Sequence, residues 1–237
     1  MRILDIAAPV DLLAIAWFIV AWVFYSLLVT RFSGSGRSLS SAMDLQRRRW
    51  MHNMARRELR MIDTSIMSGL QSGTAFFAST SLIAIGGAFA LLNAADHVYD
   101  VLRDLSLSPT TPRGLFEVKA IGLVLIFGFA FFEFGWAYRL FNYTSILVGA
   151  TPPAAQAGEA ATIAAVERAA RFSIAAGRHF NHGLRAFFFA VGYLGWFFNG
   201  WVLIATTSAI LAVQLYRQFF SPSARLVIEA AKEEFAR

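Results

Sequence analysis

Apolar residues fall into four long regions of this chain, Val10–Thr30, Gly73–Ala95, Val118–Tyr138 and Leu184–Tyr216. Each of the first three matches the roughly 20 residues that cross a hydrocarbon core about 30 Å thick. The fourth would be about 50 Å long as one helix. Its middle carries Asn199-Gly200, a turn dipeptide, with Arg185 at the start of the region and Arg217 just after it. A hairpin of two helices is therefore expected in place of one tilted helix. The predicted spans are 10–30, 73–95, 118–138, 184–198 and 201–217.

Between the apolar regions the periodicity changes. Met51, Ala55, Leu59, Ile62, Ile66 and Leu70 recur at helical spacing, with Arg49, Arg56 and Arg60 on the opposite face. No proline occurs from Leu39 to Leu92, so the second span is expected to continue into an amphipathic extension. Ile163, Val166, Ala170, Ile174 and Gly177 form a similar stripe, with Glu167, Arg171, Arg178 and His182 off it. Thr151-Pro152-Pro153 supplies the loop before that helix. These patterns predict a helical layer over 39–72 and 157–183, one membrane domain over 1–220, and a C-terminal tail over 221–237.

Composition sets the class. Hydrophobic residues make up 57% of the chain and charged residues only 15%, against about 25% charged in soluble domains. The expected fold is an all-α integral membrane protein with four or five transmembrane helices. MRILDIAAPV has acidic groups nearby and no small-residue cleavage site after the apolar run, so the first span is expected to be retained. The arginine excess in 31–72 and 139–183 predicts that these segments face the cytoplasm of a bacterial inner membrane, with the N-terminus and 96–114 outside. Cysteine is absent, which removes disulfides, iron–sulfur clusters and thiol catalysis.

Several side chains are candidates for chemistry. His179 and His182 are three apart on a helix and could ligate a metal together, with His52 and Glu58 completing the set if the two amphipathic helices pack. The simpler reading is a polar belt at the membrane interface, formed by Arg56, Arg60, Arg178, His182 and Arg185. No metal or other cofactor is therefore expected. Asn181 continues the stripe Ile174, Gly177, Leu184, Phe188 and should hydrogen-bond across a helix contact. Glu133 lies inside the third span, where a carboxylate is expensive. It would either line a proton or cation path or pair with Arg178 or Arg185. Glu117 and Lys119, at the other end of that span, are expected to reach the headgroups.

Ser79, Thr80 and Ser81 in the second span are pore-lining candidates, although small residues also serve close packing. Gly69, Gly73 and Gly86 are expected at helix contacts. There is no Gly-rich phosphate loop, no GxSxG and no HExxH. The basic helices should meet anionic lipid headgroups at the membrane surface, not nucleic acid.

The stretches WMHNMARRELRMID, FFASTSLIAIGG, FGWAYRLFNYTSILVGATPP and RHFNHGLRAFFFA follow one another along the chain and together resemble the bacterial and plant membrane family catalogued as DUF599. The resemblance covers about residues 10–220. It implies a multi-pass membrane protein and no particular activity. Three readings of function stand: a homo-oligomer enclosing a pore or lumen with channel-like conduction, a non-catalytic accessory subunit of another membrane complex, or a lipid-acting enzyme with a histidine metal site. The first two imply self-association or a protein partner.

Overall fold

The computed structural model describes residues 8–32, 36–93 and 112–235. Among them are seven α-helices and no strand: α1 Pro9–Arg31, α2 Leu39–Ala55, α3 Met61–Asn93, α4 Arg113–Gly149, α5 Ala160–Tyr193, α6 Gly200–Leu215 and α7 Pro222–Phe235. Short 3-10 turns at Ala154–Gln156 and Leu194–Phe197 and a π turn at Tyr216–Phe220 connect some of them. The connection expected to face outward, 96–114, lies almost wholly outside the described residues.

Four stretches are long and apolar enough to cross a membrane: Pro9–Arg31, Met61–Asn93, Gly114–Gly149 and Gly200–Ala231. Large apolar side chains on them face outward, with Ile83 75%, Phe132 74% and Leu125 68% exposed. In water that surface would cost about 25 cal/mol for each Å² left uncovered; against lipid it costs nothing. This is an all-α integral membrane protein. Helix α5 is not among the four, because its first two-thirds carry charges on one side.

The chain divides into two compact units. The first contains most of α1, the later part of α3, the earlier part of α4, the end of α5, and α6. Its centre is aromatic: Phe18 meets Tyr193 edge-on at 5.3 Å, and Trp22 stacks on Phe189 at 5.4 Å. Edge-on and offset contacts of this kind suit the ring quadrupoles. The reversal after α5 falls at Asn199-Gly200. The Asn199 side chain accepts from the Val202 amide at 2.9 Å and so caps α6. Thr206 Oγ1 donates to the Gly192 carbonyl at 2.7 Å, tying the returning helix to the one before it.

Lys119 differs from expectation. It is only 1% exposed, with its ammonium 5.4 Å from the Trp196 ring, and Trp196 Nε1 donates to Asp11 at 2.7 Å. The lysine turns inward because Asp11 and an aromatic face are available there.

The second unit contains α2, the start of α3, the end of α4, most of α5, and α7. Met51, Met54 and Ala55 of α2 pack against Val148 of α4 and Val166, Ala169 and Ala170 of α5. Met67 of α3, Leu140 and Phe141 of α4 and Ala176 of α5 form a neighbouring cluster. Residues 221–237 are read from sequence as a tail, yet α7 is an amphipathic helix that packs on α2.

The amphipathic extension expected to run unbroken from 39 to 72 is broken between Ala55 and Met61. Met51 and Ala55 are buried, whereas Leu59, Ile62 and Ile66 are exposed. Polar contacts, not periodicity, decide the break. Arg60 donates to the carbonyls of Val148, Thr151 and Pro152, where α4 ends and its last carbonyls lack helical partners. Trp50 Nε1 and Arg57 both donate to the fully buried carboxylate of Asp63. Helix α4 in turn continues to Gly149, beyond the predicted end at 138.

Candidate metal centre

Helix α4 places Glu133 on the side of Phe134 and Ala137, both fully buried. Phe134 stacks on Phe77 of α3 at 5.4 Å and contacts Phe180 of α5 at 5.6 Å. Its ring lies so close to Gly183 that a Cβ there would meet ring carbons at 2.7–2.8 Å. Only glycine lets α4 approach α5 this closely, and the approach fixes the register of the two helices. Glu133 is the residue before Phe134, and His182 is the residue before Gly183. The crossing therefore brings the carboxylate to the histidines.

The resulting cluster is compact. His179 Nδ1 lies 2.8 Å from Glu133 Oε2, and His182 Nδ1 lies 3.6 Å from the same oxygen. One ligand atom from each residue falls within 4.8 Å of the others, and all three residues are half-buried. Two ligand atoms that are each about 2.0–2.1 Å from one tetrahedral Zn²⁺ stand about 3.3 Å apart. The two separations at Glu133 bracket that value and the ligand atoms of the two histidines lie within 4.8 Å of each other, so the three groups are close enough to converge on one ion. Two imidazoles and one carboxylate suit Zn²⁺ or Fe²⁺ and leave coordination positions open. The Trp136 ring meets the His179 ring edge-on at 6.4 Å and limits its rotation.

A cavity of about 450 Å³ opens beside the histidines, lined by Arg48, Arg171, Ile174, Arg178, His179 and His182. Arg171, Ile174, Arg178 and His182 recur at spacings of three, four and four, so one face of α5 supplies most of the wall. Glu167 holds Arg48 at 2.9 Å and Arg171 at 3.2 Å. Asp44 of α2 accepts from Arg178 Nε at 3.0 Å and lies 3.4 Å from Arg47. Burial pushes the Asp44 carboxyl above its ordinary value, against the opposing pull of Arg178 and Arg47. Burial likewise lowers Arg47, against the pull of Asp44.

The other sequence candidates lie elsewhere. His52 faces Glu167 at 3.8 Å, and the carboxylate that joins the histidine pair is Glu133, not Glu58. Arg178 pairs with Asp44 and the Arg185 guanidinium sits 5.0 Å from the Tyr25 ring, while the groups that meet Glu133 are His179 and His182. Arg185 is buried and Arg60 caps α4, while Arg56 is exposed at the end of α2. Asn181 donates to Ser40 Oγ of α2 at 3.4 Å. Ser79 is exposed, Thr80 half-buried and Ser81 fully buried. Gly69, Gly73 and Gly86 have nothing within 4 Å of a Cβ built on them. Sequence reasoning missed Asp44, Trp136 and the Phe134–Gly183 contact; the one available signal was a glycine directly after His182.

Fold and cluster together define an all-α membrane protein with a two-histidine, one-carboxylate group on α4 and α5. The chain belongs to the family described as "Protein of unknown function, DUF599", which it matches over residues 13–223. No curated protein and no solved structure matches it.

Proposed function

We propose that this protein is a membrane metalloprotein whose Glu133, His179 and His182 hold one divalent ion of the Zn²⁺ class at a site of catalytic type. The observation that carries the reading is the convergence of three ligand atoms within 4.8 Å from two different helices. A carboxylate on a membrane-crossing helix needs a partner, and one imidazole would be enough; a second imidazole and an adjoining cavity are what a metal site adds. Three protein ligands with open positions distinguish catalytic zinc sites from closed structural ones. An ion held there would act as a Lewis acid on an oxygen of its substrate. The chain would supply its orientation through Glu133 and Trp136 and its substrate space through the cavity. The arginine excess of this unit supports a position at the cytoplasmic surface of the membrane.

The test is a Zn²⁺ competition titration against a chromophoric chelator, on protein stripped of metal and kept in native lipid particles. One ion should bind per chain. Glu133→Gln, His179→Ala and His182→Ala should each weaken binding by more than the roughly 10–100-fold that loss of an outer partner costs. His52→Ala should leave it unchanged. Equal affinity in all five proteins would discard the reading and leave Glu133–His179 as a structural hydrogen bond.

A second reading, self-association of identical chains, is supported by the open glycines of α3. Gly69 and Gly73 leave a helix surface that another backbone could approach closely, beside Phe76, which is 64% exposed. A channel-like lumen would require a closed ring of such contacts. Native mass in lipid particles tests it: a multiple of the chain mass is expected, reduced by Gly73→Ile, and a monomer under all conditions would reject it.

A further inference from the structure

We propose that the cavity beside the histidines receives a phosphate group, with its oxygens shared between the metal and Arg178, Arg171 and Arg48. This rests on the metal reading above and names the ligand class of that site. The cavity wall contains three guanidinium groups and no carboxylate. Two carboxylates lie behind those arginines, and each arginine reaches one of them through a single nitrogen: Arg178 through Nε to Asp44, Arg171 through Nε and Arg48 through Nη2 to Glu167. A guanidinium carries five N–H donors in a planar fork. The carboxylates therefore orient the forks and leave most donors for the cavity. Arg178 and Arg171 are 49% and 74% exposed at their side chains, so those donors are accessible.

The ligand must be anionic, because three arginines and a divalent ion face the same space with Glu133 as the metal's own ligand. Phosphate fits better than carboxylate. It has enough non-bridging oxygens to touch a metal and also accept a fork from an arginine, and arginine forks match it bidentately. A volume of about 450 Å³ exceeds what a bare phosphate ion fills, leaving room for the esterified group. Ile174 provides an apolar wall for that group. Arg178 and His182 stand four residues apart on one face of α5, so the fork and a metal ligand are set side by side by one turn of that helix. Two sources carry this chemistry, the headgroup of a membrane phospholipid and a soluble phosphate ester.

The experiment uses full-length protein loaded with Co²⁺ in lipid particles, and reads phosphorus-31 relaxation, which paramagnetic Co²⁺ accelerates only for nuclei a few ångströms away. The probes are inorganic phosphate and glycerol phosphate in solution, and particles of phosphatidylglycerol or of phosphatidylcholine for the lipid. Accelerated relaxation of a solution probe identifies a soluble ester as ligand. Acceleration confined to the lipid phosphorus identifies a headgroup; either result supports the proposal. Arg171→Gln, at an exposed position, and Arg178→Gln should each weaken phosphate binding about tenfold while the Co²⁺ content stays at one per chain. Normal Co²⁺ content without relaxation of any probe, or with relaxation unchanged in both variants, would overturn the phosphate proposal and leave the metal reading standing. Failure of Co²⁺ to bind overturns both.

Discussion

Gly183→Ala tests how the site is assembled without touching any of its ligands. A Cβ at this position would lie 2.7 Å from Phe134 Cε1, whereas ordinary contact begins at 3.4 Å. The helices must therefore separate by about 0.7 Å, the difference of those distances, or the ring must move. The ring is fully buried between Phe77 and Phe180 and has little freedom to yield. Overpacking of this kind costs about 1–3 kcal/mol, offset by the gain of about 1 kcal/mol from replacing glycine within a helix. The net stability change is small, about 0–2 kcal/mol of loss. The effect on the site is larger, because the same separation carries His182 Nδ1 from 3.6 Å to about 4.3 Å from Glu133 Oε2, well beyond the spacing of two ligands on one ion. Zn²⁺ affinity should fall about tenfold or more, measured by chelator competition, with a thermal midpoint only a few degrees lower. Adding Phe134→Leu should recover part of the affinity, a coupling that a double-mutant cycle reads directly. Unchanged affinity in Gly183→Ala would refute the claim that this helix crossing positions the ligands.

Other expectations concern the frame around the site. Arg60→Met removes the donors that cap α4 and should cost about 2 kcal/mol, read as a lower unfolding midpoint in detergent; no change would mean that water replaces the guanidinium freely. Asn199→Ala should cost about 1 kcal/mol through loss of the α6 cap, by the same assay. Asp44→Asn tests the acid behaviour. Its folded value lies above the ordinary 3.8 because of burial, so the favourable contribution is fully present below 3.8 and is lost as pH rises through the folded value. The midpoint of the wild type relative to Asp44→Asn should therefore decline from about pH 3.5 upward. A relative midpoint that climbs instead would mean that Arg178 and Arg47 outweigh burial.

Hydrophobic periodicity and the scarcity of charge are enough to read the membrane class and the turn at Asn199-Gly200, since lipid imposes length and polarity directly on the chain. The expected span 184–198 is instead the end of α5 and a 3-10 turn, outside the four stretches long and apolar enough to cross. The break at 56–60 is illegible by the same means, because it is set by Arg60 reaching carbonyls some ninety positions later in the chain and by Asp63 collecting Trp50 and Arg57. The site is half-legible. His179 and His182 share a face by spacing alone, and Glu133 is conspicuous as a carboxylate in an apolar run. Their meeting depends on helix register, which follows from Phe134 packing on Gly183, a contact without periodic signature. His52 shows the converse: it lies on the expected helix, but Glu167 draws it elsewhere.

X-ray absorption at the zinc edge, on protein carrying one Zn²⁺ per chain in native lipid particles, is the most direct measurement of the central claim. The account predicts two imidazole scatterers, one carboxylate and further oxygen neighbours at about 2.0–2.2 Å, with one imidazole lost in His179→Ala. A shell of oxygens alone, or a spectrum identical in His179→Ala, would place the ion elsewhere and contradict it.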